Sequence, residues 1–156
     1  MKKYGVGIFI FGLFFFCGCE VKKEELSQEC TLWSSLEFYD TSYVTGIYTK
    51  DNHSVSKLHM TSSYSAKWDD VDVNQLLNTL NQEKETITSQ YDGAEYEIHR
   101  IGNNVTVEQE LPITKKNLNI LKKNEEYQKA MNEGTLSINL YRKLLSEKGY
   151  QCQIDK

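Results

Sequence analysis

The sequence predicts an α+β domain, an antiparallel sheet of about five strands with helices packed on one face. Three observations carry this expectation. Residues 30–68 are rich in Tyr, Thr, Val and Ser and are cut by two segments of turn composition. Residues 73–91 switch to helical spacing of their apolar positions, and residues 94–111 return to alternation around a Gly-Asn-Asn turn.

The first stretch divides into strands over residues 30–39, 43–50 and 55–67. Asp40-Thr41-Ser42 and Lys50-Asp51-Asn52-His53-Ser54 join them, and short links between consecutive strands make antiparallel neighbours. Val73, Leu76, Leu77, Leu80, Ile87 and Tyr91 then recur on one helical stripe. Asp72 is placed to cap that helix with Gln75 three positions on, and Gly93 ends it. Ala94, Tyr96 and Ile98 share one face of a fourth strand, and Gly102-Asn103-Asn104 turns the chain into a fifth carrying Val105, Val107, Gln109 and Leu111. Pro112, the chain's single proline, closes the hairpin. A polar helix is expected over residues 114–132, with Leu118, Leu121, Tyr127 and Met131 as its stripe. A last helix follows over residues 137–148, with Ile138, Tyr141, Leu144 and Leu145 facing inward and Gly149 as its stop.

The N-terminal end reads as an export signal. Met1-Lys2-Lys3 precedes an uncharged run from Tyr4 to Cys19, and Glu20 and the charged residues up to Glu25 follow at once. A spanning helix needs roughly 20 apolar residues, and this run is shorter and interrupted by glycines. Gly18 before Cys19 has the form of a lipobox, in which a small residue precedes a cysteine that is lipidated and becomes the new N-terminus; Phe16 is too large to serve the same role before Cys17. The expected organisation is therefore a signal peptide over residues 1–18, a lipidated tether over 19–29, and one domain over 30–156. Two acyl chains on Cys19 hold a protein stably at a membrane, where a single chain binds at only about 10⁴ M⁻¹. The localisation this implies is the extracytoplasmic face of the cell membrane.

Removing residues 1–18 leaves 138 residues with 16 basic and 22 acidic side chains, enough for one core. An exported acidic domain has no complementarity to nucleic acid, which is excluded as a partner. Residues 112–156 are locally basic, and Lys115, Lys116, Lys122, Lys123, Lys129, Arg142, Lys143 and Lys148 are candidates to face lipid headgroups or an anionic wall polymer, against the plainer reading of a solvated helix surface. Cys30 and Cys152 remain after Cys17 and Cys19 are assigned to the signal and the lipid. A leftover pair in an exported chain predicts a disulfide, with two separate buried thiols as the alternative.

The order of the lipobox cysteine, the strand pair from Tyr43 to Tyr64, Asp92-Gly93-Ala94-Glu95-Tyr96, Leu111-Pro112-Ile113 and the closing Leu144-Leu145-Ser146-Glu147-Lys148-Gly149-Tyr150-Gln151-Cys152 resembles the YehR-like family of small bacterial lipoproteins, the domain of unknown function 1307. The resemblance spans nearly the whole chain. It implies an α+β domain with helices on one antiparallel sheet, and it brings no activity, substrate or catalytic residue with it.

No motif for chemistry competes with this. Asp70-Val71-Asp72-Val73-Asn74 matches the first three ligand positions of a calcium loop, but Gln75 and Asn81 stand where that loop needs glycine and glutamate. Acidic residues also suit a helix N-terminus. His53, His59 and His99 lack metal-ligand spacing, and no GxSxG, HExxH or phosphate-binding glycine loop is present, so neither metal nor cofactor is expected. Trp33, Phe38, Tyr39, Tyr43, Tyr48, Tyr64 and Trp68 crowd the first sheet, either as packing or as a platform for a sugar or peptide. The sequence thus points to a non-catalytic binding or interaction module of the envelope, partnered by the membrane through Cys19 and by an envelope protein or wall polymer. The alternative is an accessory enzyme or maintenance factor acting on wall polymers. Cys19→Ala is expected to leave the precursor uncleaved and free of fatty acid, checked by metabolic acyl labelling and intact mass; normal processing of that variant overturns the lipid anchor.

Overall fold

The computed structural model describes residues 23–154; Gly18, Cys19 and the rest of the expected signal lie outside them. Strand β1 (Glu25–Ser35) pairs with β2 (Tyr39–Thr49), β2 with β3 (Val55–Ala66), and β3 with β5 (Asn104–Pro112), while β4 (Glu95–Ile101) lies outside β5 and β8 (Gln151–Ile154) outside β1. All these pairings are antiparallel, so the sheet has six strands in the order β4-β5-β3-β2-β1-β8. Helix α1 (Asn74–Gln90) joins β3 to β4, and α2 (Lys115–Leu121), α3 (Glu125–Gln128), the small hairpin β6 (Met131–Asn132) and β7 (Thr135–Leu136), and α4 (Ile138–Glu147) lie between β5 and β8.

The register explains which residues are buried. Leu58 of β3 stands opposite Ile47 of β2 and Leu111 of β5, Tyr64 stands opposite Val105, and Cys30 opposite Thr45. Because side chains alternate along a strand, these residues share one face. That face holds both apolar clusters. Helix α1 lays Leu80 over Tyr96, Val105 and Val107, with Leu76, Leu77 and Ile87 at the margin. Leu121 of α2, Leu136 of β7, and Ile138, Tyr141, Leu144 and Leu145 of α4 cover Cys30, Ile47, Leu58 and Leu111. The opposite face carries Trp33, Lys57, His59, Thr106 and Glu108, and none of the described helices packs on it. The expected one-sided packing is what the structure has.

Several elements differ from the sequence expectation, each for a local reason. Strand β1 begins at Glu25, so residues 25–29 of the expected tether belong to the sheet. A bulge between Leu26 and Gln28 sets Leu26 opposite Tyr48 and Gln28 opposite Ile47, which turns these two residues to opposite faces and erases the alternation that marks a strand. Strand β8 is a short edge strand of polar residues, recognisable only by its partner. Asp72 does not occupy the cap position, which falls on Val73; its Oδ1 accepts the Asn74 N–H at 2.9 Å, one residue outside the helix. The single helix expected over residues 114–132 is broken after Leu121, where the Asn124 side chain caps a fresh turn by accepting the Glu126 N–H at 2.9 Å. The 131–136 segment folds back as a hairpin through Glu133 and Gly134, both at positive φ. Gly102, at φ +60°, opens the two-residue turn between β4 and β5.

Two covalent or polar ties hold the ends of the layers together. Cys30 and Cys152 face each other in the β1–β8 pair and form a disulfide across 122 residues of sequence, with Cys30 fully buried. Asn117, also fully buried, accepts the Asp92 N–H at 2.9 Å and donates to the carbonyls of Asp92 at 2.9 Å and Pro112 at 2.8 Å. It thus pins the exit from α1 to the exit from β5. In the chain-entropy description a loop of this size contributes about 5 kcal/mol, so Cys30→Ala with Cys152→Ala is expected to cost about 2–5 kcal/mol in urea unfolding, and adding reductant to the unmutated protein is expected to reproduce the loss. Asn117→Leu leaves an amide and two carbonyls without partners and is expected to cost about 3 kcal/mol by the same measurement, with the disulfide intact.

Candidate functional site

A groove of about 680 Å³ lies at one end of the sheet. Its walls come from the β1–β2 turn and the first residue of β2 (Phe38 and Tyr39), the β3–α1 segment (Trp68, Asp70, Val71 and Asp72), and the start of α1 (Gln75, Leu76 and Thr79). The hairpin register creates it. Tyr39 pairs with Ala66, and the Lys67 N–H donates to the Phe38 carbonyl at 3.1 Å, so the residues on either side of the β2–β3 pair are brought level. Phe38 and Trp68 then meet edge to face, ring centroids 6.3 Å apart at 76°. Both residues remain about half open to solvent, Phe38 at 50% and Trp68 at 53%. Such apolar exposure concentrated in a concavity is the ordinary mark of a binding surface.

The aromatic surface continues inward. Tyr39 stands edge to face with Tyr64, and Tyr64 with Tyr43, each at 6.3 Å, so a row of rings runs from the groove along the packed face of the sheet. Burial, with Tyr43 and the Glu83 carboxylate nearby, pushes the Tyr64 hydroxyl up to about 12. Burial, and then the nearby Glu83 carboxylate, also raises Tyr96. Tyr39 is raised by burial and then by the Asp72 charge, with Arg100 opposing, which places Asp72 and Tyr39 across the same space. These phenols therefore stay neutral at ordinary pH and act as hydrogen-bonding groups.

The groove is also negative. Residues 36–40 and 67–75 carry five carboxylates and one lysine. That lysine, Lys67, is engaged, donating to the Leu36 carbonyl at 2.5 Å and standing 3.8 Å from Asp40. Asn103 reaches across to the Asp69 carbonyl at 2.7 Å and ties the β4–β5 turn to the same rim.

Other sequence candidates fall elsewhere. Asp70 and Asp72 line the groove, but Asp72 is bonded to Asn74 and the segment leads directly into α1 rather than forming a closed calcium loop. His53 lies in the β2–β3 turn, bonded to the Asp51 carbonyl; His59 faces Glu110 at 3.3 Å on the open side of the sheet; His99 faces Glu97 at 3.3 Å on β4. Among the described residues no three His, Cys, Asp or Glu side chains converge as a metal site. Of the aromatics, Trp33 stands apart on the open face, 78% exposed, and Tyr48 lies beneath Lys57, whose Nζ is 4.6 Å from the ring centre. Lys116 pairs with Asp92 at 3.0 Å and Lys148 with Glu126 at 2.5 Å, so the basic surplus of the C-terminal third is partly neutralised. A second hollow of about 440 Å³ lies at the opposite end of the sheet, between Glu24, Lys50, Pro112 and Leu136. Leu76 was readable only as part of the α1 core stripe; that it also floors a groove depends on where the β1–β2 turn comes to rest. Among the described residues no helix is long and apolar enough to cross a membrane.

No family model and no curated protein sequence matches the chain. Among solved structures, the NMR structure of the E. coli YehR protein is similar, with a TM-score of 0.55 over 83% of this chain and 93% of that chain, at 6% sequence identity. At that identity the likeness is one of fold, and it makes YehR a remote structural relative.

Proposed function

We propose that this chain is a lipid-anchored, non-catalytic binding module of a bacterial envelope, and that its ligand lies in the Phe38–Trp68 groove. One observation carries the reading: two large aromatic residues, half exposed, are held edge to face in a concavity of about 680 Å³. Leaving such surface in water forgoes about 25 cal/mol for each Å² that a partner would cover.

The position of the groove suits an anchored protein. Chain direction places the start of β1 at one end of the sheet and the β1–β2 turn at the other. With lipid on Cys19, Glu25 follows within six residues, and the eleven residues of β1 carry the chain roughly 33 Å to the groove. The groove then opens away from the membrane, toward whatever the protein meets in the envelope. The reading as a wall-polymer enzyme draws on the two carboxylates in the groove. Asp72, however, is held in place through Oδ1 by the Asn74 N–H, which favours its charged form over proton transfer, and the aromatic walls favour retention of a ligand.

The neutral dye N-phenyl-1-naphthylamine is expected to brighten on adding the protein, and Trp68→Ser to weaken its binding about tenfold, the effect of losing one partly buried aromatic contact. Dye binding unchanged by Trp68→Ser overturns the groove as the binding site.

A further inference from the structure

We infer that the partner accepted by this groove is a cationic, apolar peptide segment, in which lysine or arginine side chains alternate with hydrophobic ones. The inference rests on the binding reading above and names its ligand class. Three independent features converge on it.

First, the walls are of two kinds in the right order. Phe38, Trp68 and Leu76 offer apolar surface, while Asp70 and Asp72 lie along the same groove. A peptide that buries alternate side chains against the rings presents its intervening ones to the carboxylates. Second, the carboxylates outnumber the cations beside them. The two segments that form the rim hold Glu37, Asp40, Asp69, Asp70 and Asp72 against Lys67, with Arg100 of β4 acting on Tyr39 from beside the groove. Lys67 is taken up by the Leu36 carbonyl and Asp40, and Arg100 donates through Nε to the Gly102 carbonyl, so five carboxylates face two cations. Positive dipole at the start of α1 offsets about half a charge, leaving the groove clearly negative. An anionic wall polymer would be repelled here, whereas a cation gains both from the carboxylates and from the faces of Phe38 and Trp68. Third, the groove is open at its side and about 680 Å³ in volume, room for a few consecutive side chains rather than for a single small ion.

The test uses Trp68 as its own reporter. The chain has two tryptophans, and Trp33 lies exposed on the opposite face of the sheet, so Trp33→Phe isolates the groove signal without touching it. Three capped pentapeptides are titrated into that protein, one alternating leucine with lysine, one with glutamine and one with glutamate. The lysine peptide is expected to shift Trp68 emission and to bind at least about threefold more tightly than the glutamine peptide, with the advantage shrinking as salt is raised. Asp70→Asn together with Asp72→Asn is expected to abolish that advantage; asparagine at position 72 retains an oxygen to accept the Asn74 N–H, so the start of α1 is preserved. Equal binding of the lysine and glutamine peptides, or preference for glutamate, overturns the cationic partner while leaving the groove as a binding site. Absence of any peptide response overturns the peptide inference, and the dye titration decides the groove separately.

Discussion

The arrangement of this molecule depends on one constraint, that a six-stranded antiparallel sheet buries a single face. Antiparallel pairing keeps the alternation of every strand in step, so Cys30, Ile47, Leu58, Leu111, Val107 and Val105 all reach the same side through their cross-strand neighbours. Slipping one strand by a single residue would carry its apolar set to the open face. The bulge at Leu26 and Gln28 shows the rule being used: one extra residue turns Leu26 outward beside Tyr48 and keeps Gln28 inward beside Ile47. Everything helical then has to share one surface.

Two helical groups divide that surface between them. Helix α1 covers the β4–β5 side, while α2, α4 and the β6–β7 hairpin cover the side nearer β1 and β8. The division leaves a strip of Tyr39, Tyr43 and Tyr64 only half covered, and the groove sits where that strip reaches the end of the sheet. Exposed aromatic surface arises here as a consequence of layer geometry, because neither helical group extends over the β1–β2 turn. Asn117 fastens the exit of α1 to the start of α2 at the far end, and the disulfide ties β8 to β1 beneath α4.

The two ends of the sheet also differ in chemistry. At the groove end, aromatic rings stand among carboxylates that outnumber the cations beside them. At the other end lie the start of β1, the β2–β3 turn organised by Asp51, and α2 with its lysines. Asp51 accepts from Ser54, His53 and Thr49 together, which holds its carboxyl well below the usual range and keeps this turn charged and ordered.

Local pattern in the sequence determined the α+β class, α1, the Gly102 hairpin, α4 and the presence of three long strands, though not the first turn. Asp40, Thr41 and Ser42, expected to link the first two strands, pair with Ser35, Ser34 and Trp33 inside the sheet, and the chain turns instead at residues 36–38, because cross-strand pairing outweighs the turn composition. The pairing of Cys30 with Cys152 was also legible, from cysteine arithmetic alone. Where period fails, only tertiary structure decided. Residues 25–29 and 151–154 become strands because β1 and β2 offer them partners, and the helix expected over residues 114–132 breaks because Asn124 recaps the chain. The groove belongs to the same class. Phe38 and Trp68 were visible as aromatics, yet thirty residues separate them, and only the β2–β3 register and the seating of Leu76 make them one surface. A site made by long-range pairing leaves no periodic trace in sequence, since the energy that forms it comes from contacts between segments and not from the segments themselves.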